Sequence, residues 1–154
     1  MAEQKSLVGK CGDWENEYLR RNGGKLYPEL ENTLKKLKEQ YHLYIVSNCQ
    51  SGYIEAFLDY YNFWDSIFED IECYGNNEKS KGDNIRLVME RNGLEQTIYV
   101  GDIQGDYDAT MQAGVDLHSR KSMDLERSIQ KLQKSRSSVT FREVAARVFQ
   151  EMKA

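Results

Sequence analysis

Thr97-Ile98-Tyr99-Val100-Gly101-Asp102-Ile103-Gln104-Gly105-Asp106-Tyr107-Asp108 is the stretch whose reading decides the fold. Four β-favouring residues run straight into Gly101-Asp102, and Gly105-Asp106 follows on the same turn. A short apolar run without alternation reads as a buried parallel strand. Acids begin where the run stops, and in open α/β sheets polar chemistry gathers beyond the carboxyl ends of the strands. Asp102 and Asp106, on the turn leaving a strand, suit a hard cation such as Mg2+. The same residues also read as an Asx-type turn and a helix N-cap, with the acids at the positive end of the helix. The surrounding chain has to separate these readings.

Working outward, helical and strand patterns alternate. Tyr27-Pro28-Glu29-Leu30 opens a helix with Pro28 suited to its first position, and Leu30, Leu34 and Leu37 form its apolar stripe. Leu43-Tyr44-Ile45-Val46-Ser47-Asn48 is a strand ending on a hydroxyl. Ser51 then suits the cap of a helix with Ile54, Phe57, Leu58 and Tyr61 on one face. Phe63 to Phe68 reads as a packed loop and Ile71 to Tyr74 as a short strand. A polar connection carrying Lys79 and Lys81 leads to Asp83, which caps a helix that Gly93 stops. After the opening strand, a helix through Ala109, Met111 and Ala113 ends at Gly114. This order predicts an α/β fold, a parallel sheet covered by helices. Of Tyr53, Tyr60, Tyr61 and Phe63, three lie on or beside a helix core face, and the set reads as packing rather than as a base-stacking surface.

The flanks are less regular. Trp14, Tyr18 and Leu19 suggest a short helix from about Asp13 to Arg21, ended by Asn22-Gly23-Gly24. His118 to Ser138 is basic and Ser-rich, with Leu125, Ile129 and Leu132 at helical spacing. Thr140-Phe141-Arg142-Glu143 is a capping box, predicting a last helix that packs Phe141, Val144, Ala145, Val148, Phe149 and Met152 on the sheet.

At 154 residues the chain is one ordinary domain, with 40% hydrophobic and 30% charged residues. Its formal charge of −4 argues against nucleic acid as main partner. No long apolar run indicates a membrane span or a secretory leader. Three cysteines without a CxxC argue against a zinc site and fit a reducing, cytoplasmic setting. His42 stands at a strand entrance, a structural position.

Strand ends and following loops thus carry Ser47, then Lys79 or Lys81, then Asp102 with Asp106. Phosphoryl transfer needs such a set: donors for phosphate oxygens, a lysine to offset charge, and carboxylates for Mg2+. In this order the residues resemble the haloacid dehalogenase (HAD) superfamily, in its phosphoglycolate-phosphatase-like branch, over roughly residues 26–115. Leu43 to Asn48 resembles the family's second motif, Gly101 to Asp106 the fourth, and Ala113-Gly114-Val115 the stretch after the fourth-motif helix. The resemblance implies a HAD-like Rossmannoid sheet and an Mg2+-dependent phosphatase of a small phosphorylated metabolite. Ser47 and Asn48 would bind phosphate, Asp102 would ligate Mg2+, and Asp106 would support the metal shell or the lysine. The motif lysine is Lys79 by its spacing to Gly93, or Lys81 by its place at the helix start. The second fits better, and both remain candidates.

Two departures qualify the resemblance. The family's first motif, an Asp-x-Asp that supplies nucleophile and general acid, is absent upstream of Ser47. Residues 1–27 then read as the remnant of a helical cap, 28–117 as the core, and 118–154 as a C-terminal helical segment. Without the nucleophile the chain is expected to be inactive or incomplete, either an N-terminally truncated piece or a dead relative. The alternative is a non-catalytic binding or oligomerising module, since a sheet lacking its central strand would expose edges for self-association. The other departure follows Asp116, where the family's next strand has no counterpart in Leu117-His118-Ser119-Arg120. A receiver-like domain expects its acids before its lysine, the reverse order. A calcium loop at Asp102 lacks the bidentate Glu.

Overall fold

The computed structural model describes residues 2–101, 103–119 and 143–146, with side chains over 9–101 and 103–116. The elements in chain order are α1 (Ala2–Asn22), α2 (Leu30–Lys38), β1 (His42–Ser47), α3 (Tyr53–Tyr61), β2 (Phe68–Cys73) and α4 (Tyr74–Asn77). Then follow α5 (Lys81–Asn92), β3 (Ile98–Gly101), α6 (Gln104–Ala113), β4 (Asp116–Ser119) and β5 (Glu143–Ala146). The five strands form one parallel sheet in the order β2-β1-β5-β3-β4. The α/β architecture predicted from the alternation is the one observed.

β1 shows why its sequence does not alternate. Leu43 and Ile45 join one apolar cluster, with Leu34 of α2, Leu19 of α1 and Ile54 and Leu58 of α3. Tyr44 and Val46 join another on the opposite face, with Ile85 and Val88 of α5, Tyr99 and Ala109. A strand covered by helices on both faces has no solvent side to mark with polar residues. Tyr61 and Phe63 stack at 5.4 Å, and Phe57 packs on both rings, so three of the aromatic residues in this region are core.

Several local expectations need correction. α1 extends from Ala2 to Asn22, well beyond the predicted stretch, and lies against α3 with Leu19 inside and Arg20 Nε 3.3 Å from Asp59 Oδ2. Pro28 sits in the turn before α2, and Glu29, with φ 62°, is the N-cap. Gly52, with φ 83°, precedes α3 in place of Ser51; a left-handed N-cap suits glycine rather than serine. β2 begins at Phe68, inside the predicted loop. Ser80 rather than Asp83 caps α5, its Oγ accepting from the Asp83 N–H at 3.1 Å. The glycine stops hold: Gly93 and Gly114 end α5 and α6 with φ of 64° and 76°.

Beyond Asp116 the differences are larger. Asp116–Ser119, which reads as no strand, is β4, paired with β3 from Ile98↔Asp116 to Gly101↔Ser119. Glu143–Ala146, predicted as helix, is β5 at the centre of the sheet. It pairs His42↔Glu143 to Tyr44↔Ala145 on one side and Ile98↔Val144 to Val100↔Ala146 on the other. The gap expected between β1 and β3 is therefore filled, because two neighbouring strands leave unpaired backbone groups that a short apolar segment satisfies. Beyond the last described β1–β5 pair, the Val46 carbonyl accepts from Tyr99 Oη at 2.9 Å. The remaining residues of the predicted C-terminal helix lie outside the described residues, as do Leu125, Ile129 and Leu132.

Candidate functional site

Every strand runs the same way, so the carboxyl ends of β1, β2 and β3 share one end of the sheet, with the start of α5 and α6. Ser47 closes β1 there and is 2% exposed, its Oγ accepting from the Cys49 N–H at 3.3 Å. Asn48 follows it at the surface and lines an open cleft of about 460 Å3. Lys81, Tyr74, Gly105, Asp108 and Gln112 also line this cleft, which is large enough for a small ligand.

Lys81 and Asp106 form the core of the site. Lys81 opens α5 and Asp106 lies in the first turn of α6. Lys81 Nζ is 2.6 Å from Asp106 Oδ1, with side-chain exposures of 3% and 0%. The other oxygen, Asp106 Oδ2, accepts from the Ile103 N–H at 3.3 Å and so closes the first turn of its own helix. Gly101 makes room for this carboxylate: a Cβ there would stand 2.6 Å from Asp106 Cβ, Cγ and Oδ2. The glycine is required by close approach rather than by backbone dihedral. α5 and α6 are tied at the same end by Ser80 and Gln112, with Gln112 Nε2 donating to Ser80 Oγ at 3.0 Å.

The two lysines thus have different surroundings. Lys79 is exposed in the loop, its backbone N–H donating to Asn77 Oδ1 at 2.9 Å. Lys81 is the one placed against the acid. Asp102 lies outside the described residues. Among the described residues no group of three or more His, Cys, Asp or Glu side chains is placed to hold a metal ion. Asp106 is turned to Lys81 and to its helix end, so the described residues alone do not make an Mg2+ site. Sequence reasoning missed Gln112, which no motif marks, and the steric role of Gly101, which only the distance to Asp106 shows.

β5 bears directly on the first-motif question. It lies between the strand ending on Ser47 and the strand ending on Gly101, yet its one acid, Glu143, stands at the amino end opposite His42. The described part of the central strand brings no carboxylate to the cleft.

A helix-covered parallel sheet with its charged pair and cleft at the strands' carboxyl ends defines the class, a Rossmannoid α/β protein. A family model described as haloacid dehalogenase-like hydrolase matches residues 3–119, most of the chain. The chain belongs to that family. No curated protein and no solved structure matches it. No helix among the described residues is long and apolar enough to cross a membrane.

Proposed function

We propose that the cleft is a phosphate-monoester site of the HAD phosphatase type, taking a small phosphorylated metabolite with Mg2+, in a chain that does not itself turn the ester over. The observation that carries this reading is the buried Lys81–Asp106 pair at the cleft, 2.6 Å apart and next to the end of β1. In it, Ser47 and Asn48 donate to phosphate oxygens and Lys81 offsets their charge. Asp106 fixes the lysine. Asp102 is the residue that would hold Mg2+, which when bound supplies further charge neutralisation. Residues 1–46 contain no Asp-x-Asp, the pattern that would supply the nucleophile for an aspartyl-phosphate.

The test pairs turnover with binding. Hydrolysis of an aryl phosphate with Mg2+ is measured for the wild type and Asp102→Asn, and binding of inorganic phosphate with Mg2+ is followed by calorimetry. The expected result is no turnover in either protein, with phosphate binding weakened about tenfold or more in Lys81→Ala. Turnover that vanishes in Asp102→Asn overturns the inactive reading, and absence of phosphate binding overturns the site. A second reading, an oligomerising module, draws on β2 and β4, each paired on one side only among the described residues. A purely monomeric protein in gel filtration rules it out.

A further inference from the structure

The turn that carries Asn48 to the cleft is held from outside the sheet by α1, a helix to which the phosphate reading gives no part. This turn, residues 48–52, leads from β1 into α3. On one side it is held by the segment after β2. The Gly75 N–H donates to the Cys49 carbonyl at 3.0 Å, and a Cβ on Gly75 would stand 2.1 Å from the Ser51 nitrogen. On the other side lies α1. Asn16 Nδ2 donates to the Ser51 carbonyl at 2.8 Å, and Asn16 Oδ1 accepts from Gln50 Nε2 at 3.4 Å. Gln50 Nε2 also donates to Glu15 Oε2 at 3.0 Å.

The turn is shaped to admit Asn16. A Cβ on Gly52 would stand 2.8 Å from Asn16 Nδ2, and its φ of 83° is one that other residues resist. Glycine at this position therefore serves both the dihedral and the approach of the amide. Asparagine suits the other side of the contact, because one planar group offers a donor to the main chain and an acceptor to Gln50.

We propose that Asn16 is a positioning residue of the cleft: by holding the Ser51 carbonyl, it fixes the turn in the shape that presents Asn48 to a bound phosphate. The inference rests on the phosphate reading of the cleft. Asn48 and Ser51 are three positions apart, and the main chain between them is tied at the Cys49 carbonyl by Gly75 and at the Gln50 carbonyl by the Tyr53 N–H, 3.4 Å away. A restraint on Ser51 thus reaches Asn48 through a short, already fastened stretch. Ordering a loop at the moment of binding subtracts from affinity, and a loop held beforehand in its bound shape avoids that loss. α1 is also anchored away from the turn, by buried Leu19 and by Arg20 against Asp59 at 3.3 Å. Docking of the helix and its grip on the turn are therefore separable by mutation.

The test measures binding of inorganic phosphate with Mg2+ by calorimetry, on the full chain, with each variant shown to be folded by circular dichroism. Asn16→Ala should weaken binding about fivefold. Asn16→Asp, which keeps the shape but turns a carboxylate oxygen to the Ser51 carbonyl, should weaken it at least as much. Arg20→Ala, which loosens the same helix away from the turn, should leave binding within about twofold of wild type. In an Asn48→Ala background, Asn16→Ala should have little further effect, because its influence passes through Asn48. No phosphate binding by the wild type overturns the site and this proposal with it. Wild-type binding that Asn16→Ala leaves unchanged overturns the proposal alone. Equal weakening by Arg20→Ala also overturns it, since docking of α1 would then be the cause, as do effects of Asn16→Ala and Asn48→Ala that simply add.

Discussion

Lys81→Ala removes the cation from a carboxylate that has no exposure to water. Asp106 would keep the Ile103 N–H at 3.3 Å but would lose the Lys81 partner at 2.6 Å. Breaking a buried ion pair from one side costs about 3–5 kcal/mol, because the remaining charge stays buried without its counter-ion. With a urea slope of about 2 kcal/mol/M for a chain of this size, the unfolding midpoint should fall by about 1.5–2.5 M. Replacing both members, as Lys81→Met with Asp106→Leu, removes the charges together and should restore most of that loss. Both residues take part in further interactions, so the double-mutant cycle is the measurement that isolates the pair. The assay is urea unfolding followed by far-ultraviolet circular dichroism for the wild type, Lys81→Ala, Lys81→Met, Asp106→Leu and the Lys81→Met, Asp106→Leu double variant. A midpoint shift below about 0.5 M in Lys81→Ala, with unchanged slope, would refute the argument that this pair is desolvated and coupled.

Gly101→Ala puts a methyl group against the Asp106 side chain, 2.6 Å from its Cβ, and should cost about 1–3 kcal/mol in thermal unfolding; an unchanged melting temperature would mean that the carboxylate moves aside freely. Burial pushes the Glu69 carboxyl up, but hydrogen bonds from Lys38 and His42 outweigh it and hold the group below its usual 4.5. Its contribution to stability is therefore present above 4.5 and lost as the pH falls through the lowered folded value. The urea midpoints of wild type and Glu69→Gln should differ at neutral pH and converge on acidification; a gap that widens in acid contradicts the assignment. Ser80→Ala deletes the acceptor for the Asp83 N–H and should lower stability by about 1 kcal/mol, read by urea titration. Leu58→Ala empties a fully buried position beside α1 and should cost about 2–5 kcal/mol in the same assay, with no loss indicating a site that collapses.

Much of the fold was legible because helices and strands of this chain carry strong local signals. Gly93 and Gly114 stop helices by adopting left-handed dihedrals that other residues resist, and this is visible from composition and spacing alone. β1 was visible because a strand buried on both faces is apolar throughout. Lys81 was harder to separate from Lys79, since both are loop lysines until the arrangement of α5 on α6 carries one of them to Asp106.

The sequence by itself determined the alternation of helix and strand, the place where polar chemistry gathers, and the absence of an Asp-x-Asp ahead of Ser47. These depend on periodicity, on backbone preferences and on which residues are present. Only the tertiary structure decided what occupies the centre of the sheet. Glu143-Val144-Ala145-Ala146 sits in a stretch with helix-start signals, yet it is a strand, because the facing edges of β1 and β3 offer backbone partners that outweigh local propensity. Tertiary packing likewise chose Lys81, since the cost of burying Asp106 without a cation is far larger than any preference of the loop that carries the lysine.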